Sequence, residues 1–361
     1  MNAAVPNPPE WRPDQLGDGF DRVELPLDDD DEGTVCATLV RYVPAAPPGP
    51  PAFLAALRKN MFHNLEWPGS EARTHNGSGR PVAVLYLHGW ADYFLQAELA
   101  ERVGAHGLHF YALDLRKFGR SLRSWQTPGY TTDLGVYDED IAAAMTAIKA
   151  DVALRTGLAA DPAVHMLAHS LGGLIGALWA DRHPGALRTL ILNAPWLELQ
   201  GSSLIRNIAM HLVEPFARTD PKRPFRFPEM PGYWQSVSDQ AHGEWFLDPQ
   251  WRPTASFPIR AGWTRAVLAG HSAVERRLDI GAPVLVMLSD RTRIQAEWSE
   301  ELMRVDAVID VEQTARRALG LGRRTAVFRY PGAIHDIFLS RREVRQEAYR
   351  DLVAWLHSYP G

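Results

Sequence analysis

Six short stretches of this chain are continuous or nearly continuous apolar runs, and helical patterns separate them. PVAVLYLHG (81–89), HFYALDL (109–115), AVHMLAHS (163–170), LRTLILNAP (187–195), PVLVMLSD (283–290) and TAVFRYPG (325–332) each read as a buried strand. Helical patterns occupy 93–106, 134–156, 171–184, 311–320 and 341–358. Strands apolar on both faces, alternating with helices, specify a mostly parallel sheet with helices packed on each side. Ahead of them, Val23–Leu27 and Val35–Val43 predict an antiparallel hairpin added at one edge. The acidic run DDDDE (28–32) is read as its solvated turn, because like charges repel into water, with a metal site as the alternative.

One interval breaks the alternation. Residues 202–280 contain no buried-strand pattern but carry Trp234, Trp245, Trp251 and Trp263 with Phe216, Phe225, Phe227, Phe246 and Phe257. So long a stretch between two core strands predicts an inserted helical cap or lid. Most of its aromatics are expected to fill the cap's own small core and a few to line an apolar acyl pocket. The domain reading is therefore a core of residues 1–201 and 281–361, with 1–20 as an irregular N-terminal arm, and a cap over 202–280. PAAPPGPP (44–51) is a connector that cannot pair in a sheet centre.

Composition narrows the function classes. The 361 residues carry 38 Lys and Arg against 43 Asp and Glu, a net charge of −5. That balance lacks the basic stripe of a nucleic-acid binder. The single cysteine, Cys36, excludes an intrachain disulfide and is read as a small core hydrophobe on a strand. The start MNAAVPNPPEWRPDQ has neither a basic nor an apolar signal region, and no 18-residue apolar stretch follows, so a cytoplasmic protein without stable membrane insertion is expected. The chain has no H-E-x-x-H, no phosphate-binding P-loop, no dinucleotide glycine fingerprint and no Cys/His zinc spacing, so no metal or other cofactor is expected.

The chemistry concentrates at AVHMLAHSLGGLIG (163–176), where a strand pattern runs straight into a serine and then glycines. A nucleophile at the tip of a tight strand-to-helix turn explains this, since the residues two before and two after it must be small. Here they are Ala168 and Gly172, with alanine in place of the usual glycine at the first. Such an elbow presents the Ser170 hydroxyl above the sheet and sets the Leu171 N–H at a helix N-terminus, where negative charge is favoured. A serine needs a base to take its proton. Of 13 histidines, His335 in YPGAIHD lies just beyond the last strand, at the right place in the order Ser, Asp, His. Two acids compete to orient it. Asp290 directly follows PVLVML, and Asp306 lies in VDAVIDVEQTARR, 29 residues before His335, which leaves room for one helix and one strand. Asp306 is preferred and Asp290 is the alternate, with 291–304 then an insertion and Asp310 helping to start the next helix. An oxyanion hole needs two backbone donors. They are expected at Leu171 and at Trp90 in HGWADYF, with His88, Gly89, His169 and Gly172 shaping the loop and the elbow.

Together, HGWADYFLQ, DLRKFGRSL, AHSLGG, NAPWLELQG and YPGAIHD resemble the serine-hydrolase group of monoacylglycerol lipases, bacterial lysophospholipases and serine aminopeptidase-like hydrolases. The resemblance runs from about residue 80 to the C-terminus and covers the cap least. It implies an α/β-hydrolase fold with a cap inserted between core strands, a Ser170–His335–Asp306 triad, and a mainly structural loop at Asp114, Arg116 and Gly119. It also implies a small-molecule or lipid acyl ester as substrate, cleaved through an acyl-enzyme. Two alternatives stay open. An aminopeptidase or amidase would need a cap acid such as Glu214, Glu229 or Glu244 to hold the amine, and a non-catalytic ligand-binding protein would not need the serine. Oligomeric state is not legible.

Overall fold

A computed structural model of the protein describes residues 10–44, 80–199, 213–225, 231–295 and 297–360. Nine strands form one sheet: β1 (Arg12–Pro13), β2 (Phe20–Asp30), β3 (Gly33–Tyr42), β4 (Val82–Leu87), β5 (His109–Asp114), β6 (Ala163–His169), β7 (Thr189–Asn193), β8 (Val284–Ser289) and β9 (Thr325–Tyr330). Their spatial order is β1-β2-β3-β5-β4-β6-β7-β8-β9. The first three run antiparallel and join the sheet through β3 against β5. From β5 across to β9 every neighbour is parallel. Each of the six apolar runs became one of these six strands.

Helices α1 (Ala97–Ala105), α2 (Tyr137–Thr156), α3 (Ser170–Arg182), α4 (Gly232–Val237), α5 (Ala261–Glu275), α6 (Val311–Ala318) and α7 (Arg342–Ser358) accompany the sheet, with four short 3-10 turns among the described residues. Alternation along the strands divides the core. Val82, Val84 and Tyr86 of β4 face one side with Leu99 and Val103 of α1 and Leu352 and Leu356 of α7. Ala83, Leu85 and Leu87 face the other, with Ile141 and Ile148 of α2, Leu174 and Ile175 of α3, and Val311 of α6. All six side chains of β4 are buried, the pattern of a strand covered on both faces. β5 lies on one side of β4 and β6 on the other. The chain thus reverses its direction of growth at β4, and the crevice beyond the carboxyl ends of β4 and β6 is where an open α/β sheet binds ligands.

In the N-terminal arm the two-residue β1 pairs with β2, Trp11 packs on Tyr111, and the buried Asp14 receives Arg120 Nε and Nη2 at 2.7 and 2.8 Å. Two details differ from expectation. The acidic run does turn the hairpin, but its end is not solvated. Glu32 accepts from Thr127, from the buried Lys117 at 2.8 Å and from Lys222 at 2.8 Å, and these donors hold its carboxyl well below the usual range against the opposing effect of burial. Opposite charges supplied by distant loops decided this. Cys36 lies half-buried in β3, its sulfur 2.9 Å from Arg123 Nη2. The connector from residue 45 and the stretch 200–212 lie outside the described residues.

Between β7 and β8 the described chain holds helical residues 213–219, α4, α5 and irregular turns, and no strand of the sheet. Its aromatics do not mostly form a core of their own: Trp263 and Phe257 join the main core, and the cluster holding Trp234, Trp245 and Trp251 includes Tyr93, Leu95, Ile334 and Leu339 from outside this interval. Trp234, Trp245 and Trp251 pack around Val237 and Leu247, Phe216 and Phe225 around Val213, while Phe246 is exposed; Phe227 lies outside the described residues.

Candidate active site

The turn from β6 into α3 puts Ser170 at φ +51°, a left-handed conformation that a non-glycine residue rarely holds. Close contact forces small neighbours around it. A β-carbon on Gly172 would collide with the His88 carbonyl oxygen, and one on Gly173 would stand 2.7 Å from Pro195 Cβ. Ala168, where glycine was the usual residue, is tolerated because Gly176 of α3 faces it: a β-carbon on Gly176 would lie 3.3 Å from the Ala168 methyl.

His335, on the loop after β9, reaches Ser170 Oγ with Nε2 at 2.9 Å and Asp306 Oδ2 with Nδ1 at 2.8 Å. Both side chains are buried, and Ser170 is 9% exposed. Nδ1–H donates to the carboxylate, which leaves Nε2 free to accept the serine proton. Asp306 Oδ1 in turn accepts the N–H groups of Val308 and Ile309 at 2.7 and 2.9 Å, which fix its plane. An isolated parallel bridge joins Thr292 and Asp306: Asp306 N donates to Arg291 O and Arg293 N to Asp306 O, each at 2.9 Å. That bridge sets Asp306 just past the end of β8. Asp290 instead accepts from Gly332 N at 3.3 Å, half-exposed, and no bond joins it to His335. Asp310 caps α6 by accepting from Gln313 N at 2.9 Å.

The loop after β4 runs beside the elbow. A β-carbon on Gly89 would lie 3.1 Å from Ser170 Cβ and from His169 Cδ2, so closeness to the elbow, rather than a left-handed turn, selects glycine there. The left-handed residue is Ala91, at φ +46°. His88 accepts from Leu115 N–H with Nε2 at 3.0 Å, and its Nδ1–H donates to Gly89 O at 2.8 Å. Asp114 binds the same loop by accepting from Phe94 N at 2.9 Å. His169 is buried with Nδ1 against Asn193 O at 3.0 Å, and burial pushes its imidazole below the usual range, only partly opposed by Asp336. Leu171 is the first residue after Ser170 in α3 and Trp90 the first after Gly89.

A profile of the family described as serine aminopeptidase, S33, matches residues 80–342, well over half of the chain. The chain belongs to this family. A monoacylglycerol lipase of Mycolicibacterium smegmatis is 26% identical over 295 residues, which cover 78% of this chain and 89% of that protein. Among solved structures, a soluble variant of monoglyceride lipase from Saccharomyces cerevisiae superposes with TM-score 0.60 at 15% identity, covering 93% of this chain and 95% of that one. A carboxyl esterase from Bacillus coagulans does so with TM-score 0.61 at 14% identity, covering 94% and 98%. The fold of this S33-family chain is the α/β-hydrolase fold.

A cavity of about 200 Å³ opens over Ser170 and His335. Of the aromatics expected to line an acyl pocket, only Trp234 does so among the described residues. The wall also holds Tyr233, Arg252, Thr254 and Ser256, and Asp92 from the loop after β4. Arg252 Nη1 donates to Asp92 Oδ1 at 2.8 Å, with both side chains buried. Burial disfavours the guanidinium, yet Asp92, Tyr233 and Asp336 together outweigh it and hold Arg252 above its ordinary pKa. Trp90 also lines the cavity, and its ring packs 4.0 Å from the Trp263 ring centroid, 5.6 Å from Phe118 and 5.9 Å from Phe257.

Sequence reasoning missed Asp92, Tyr233, Arg252 and Asp336. Asp336 is fully buried beside His335 and accepts from Asn193 Nδ2 and Gln96 Nε2, each at 2.7 Å, and from Phe338 N at 3.0 Å. It anchors the histidine loop. Its place next to His335 and the place of Asp92 three residues past Gly89 were available signals. Arg252, in WRPTAS, carried none.

Proposed function

We propose that this protein is a serine esterase of the monoacylglycerol lipase and lysophospholipase type, with Ser170 as nucleophile, His335 as base, Asp306 as orienting acid and residues 202–280 as cap. The observation that carries the reading is His335 bridging Ser170 Oγ at 2.9 Å and Asp306 Oδ2 at 2.8 Å. Ser170 Oγ attacks the ester carbonyl carbon while His335 Nε2 takes its proton, and Asp306 holds the ring and stabilises the imidazolium. The Leu171 and Trp90 N–H groups receive the oxyanion. The tetrahedral intermediate collapses, the alkoxide leaves with the proton from His335, and water then releases the acid by the same route.

The names of the relatives support an ester over an amide. So does the cavity. An aminopeptidase site needs a free carboxylate for the substrate amine, but Asp92 is already neutralised by Arg252. Of the expected candidates, Glu214 pairs with Arg218 and Glu244 with Arg345, neither lines the cavity, and Glu229 lies outside the described residues. No helix among the described residues is long and apolar enough to cross a membrane. The test is hydrolysis of p-nitrophenyl esters from acetate to palmitate by wild type and by Ser170→Ala. Turnover lost in the variant supports the reading; equal turnover in both removes Ser170 from it.

A further inference from the structure

We propose that the Asp92–Arg252 ion pair is a positioning device for the oxyanion loop, supplied half by that loop and half by the cap, so that the hole is complete only while the cap segment around Arg252 is seated. The inference rests on the serine-hydrolase reading above.

The loop needs such a support. Ala91, between the oxyanion donor Trp90 and Asp92, sits at φ +46°, a conformation that persists in a non-glycine residue only where its surroundings over-determine it. On the upstream side the loop is held by His88, whose ring bonds Gly89 O and Leu115 N. On the downstream side the first side-chain anchor is Asp92, bonded to Arg252 at 2.8 Å and 160 residues away in sequence. Arg252 is itself fixed. Its carbonyl accepts from Trp234 Nε1 at 3.2 Å, its N–H donates to Asp248 O at 2.8 Å, and its guanidinium lies 5.3 Å from the Tyr233 ring centroid. Tyr233 stands edge-on to His335 at 5.2 Å, with its hydroxyl buried. One wall therefore runs from the oxyanion loop through Asp92, Arg252 and Tyr233 to the histidine. Both residues line the cavity over Ser170 with their side chains buried, and a buried charge left without its partner is costly.

A positioning role acts on the transition state. Loss of one oxyanion donor costs about 10²–10³ in kcat in a comparable site, and a loop that is only loosened loses part of that. Wild type, Asp92→Asn, Arg252→Gln, Arg252→Lys and the double variant Asp92→Asn/Arg252→Gln would be compared in p-nitrophenyl butyrate hydrolysis. Phosphonylation of Ser170 by a p-nitrophenyl phosphonate, whose oxygen occupies the oxyanion position, is the second readout. The expected result is a kcat at least about tenfold lower in both single variants, KM within about twofold, and a phosphonylation rate reduced by the same factor, with Arg252→Lys recovering part of both. If a single variant fails to fold because one charge is left buried alone, the double variant decides, since it removes both. Wild-type kcat and phosphonylation in variants that fold would overturn the proposal, as would a change in KM alone. Failure of the underlying reading looks different: wild type itself would show no Ser170-dependent turnover or phosphonylation, and the proposal would fall with it.

Discussion

Gly172 lies directly against the main chain of the strand-to-loop junction at His88: a β-carbon on it would collide with the His88 carbonyl oxygen and stand 2.9 Å from that of Leu87. The neighbours are backbone, which cannot rotate away. Gly172→Ala must therefore push α3 and the loop after β4 apart, and this is the space in which Ser170 and the Trp90 N–H have to meet. Overpacking of this kind costs about 1–3 kcal/mol, and a shift near 1 Å in reacting groups lowers turnover about 100-fold. A fall in both Tm and kcat is expected, read by thermal unfolding and ester kinetics. A variant with normal kcat would mean that the elbow tolerates the separation.

Asp306 and Asp290 separate cleanly by substitution. Asp306→Asn leaves an amide facing His335 Nδ1 and favours the wrong tautomer, so kcat is expected to fall by orders of magnitude, up to about 10⁴. Asp290→Asn is expected to change kcat less than about threefold, because no bond links Asp290 to His335. The opposite ranking in steady-state kinetics would transfer the role to Asp290.

Chain-length preference follows from the cavity. Its volume of about 200 Å³ is below the roughly 300–1,000 Å³ of sites for drug-sized ligands, and the Trp90 ring closes one side by packing on Trp263, Phe118 and Phe257. Wild type is expected to favour acyl groups of a few carbons. Trp90→Ala keeps the backbone N–H and removes the ring, which should move the optimum to longer chains. Trp90→Leu serves as the milder variant, since removing a packed Trp side chain costs about 3–5 kcal/mol. A wild-type optimum at palmitate would contradict this account of the pocket.

His165, in the middle of β6, gives the protein an acid-sensitive point away from the site. Burial pushes its imidazole from 6.5 down to about 3, with Arg188 adding to the effect, and its Nδ1 contacts Thr189 Oγ1 at 2.7 Å. Between these two values the unfolded chain binds a proton that the native state does not. Stability is therefore full above the unfolded value and falls as the pH falls through this window. At pH 5 the loss is about 2 kcal/mol, at about 1.4 kcal/mol per pH unit. His169 shifts in the same direction. In denaturant titrations between pH 5 and 7.5, His165→Gln should show a shallower pH dependence than wild type. An unchanged slope would remove His165 as its source.

Much of the site was legible because its signals are local. The elbow depends on residues within two positions of Ser170, and steric demand on a tight turn can be read from Ala168, Gly172 and Gly173 directly. His335 followed from chain order, and the buried strands from runs that stay apolar when both faces are covered. The choice between Asp290 and Asp306 was harder, because it turns on the bridge that joins Thr292 to Asp306.

What the sequence by itself determined was the periodicity of the core and the tight turn that carries Ser170, since apolar patterning and turn sterics act over a few residues. Only the tertiary structure decided the character of the cavity. Arg252 meets Asp92 across 160 residues, Lys117 and Lys222 draw Glu32 out of water, and Arg120 draws in Asp14. Each carboxylate is buried because a distant segment brings the opposite charge to it, and that pairing energy exists only after the chain has folded.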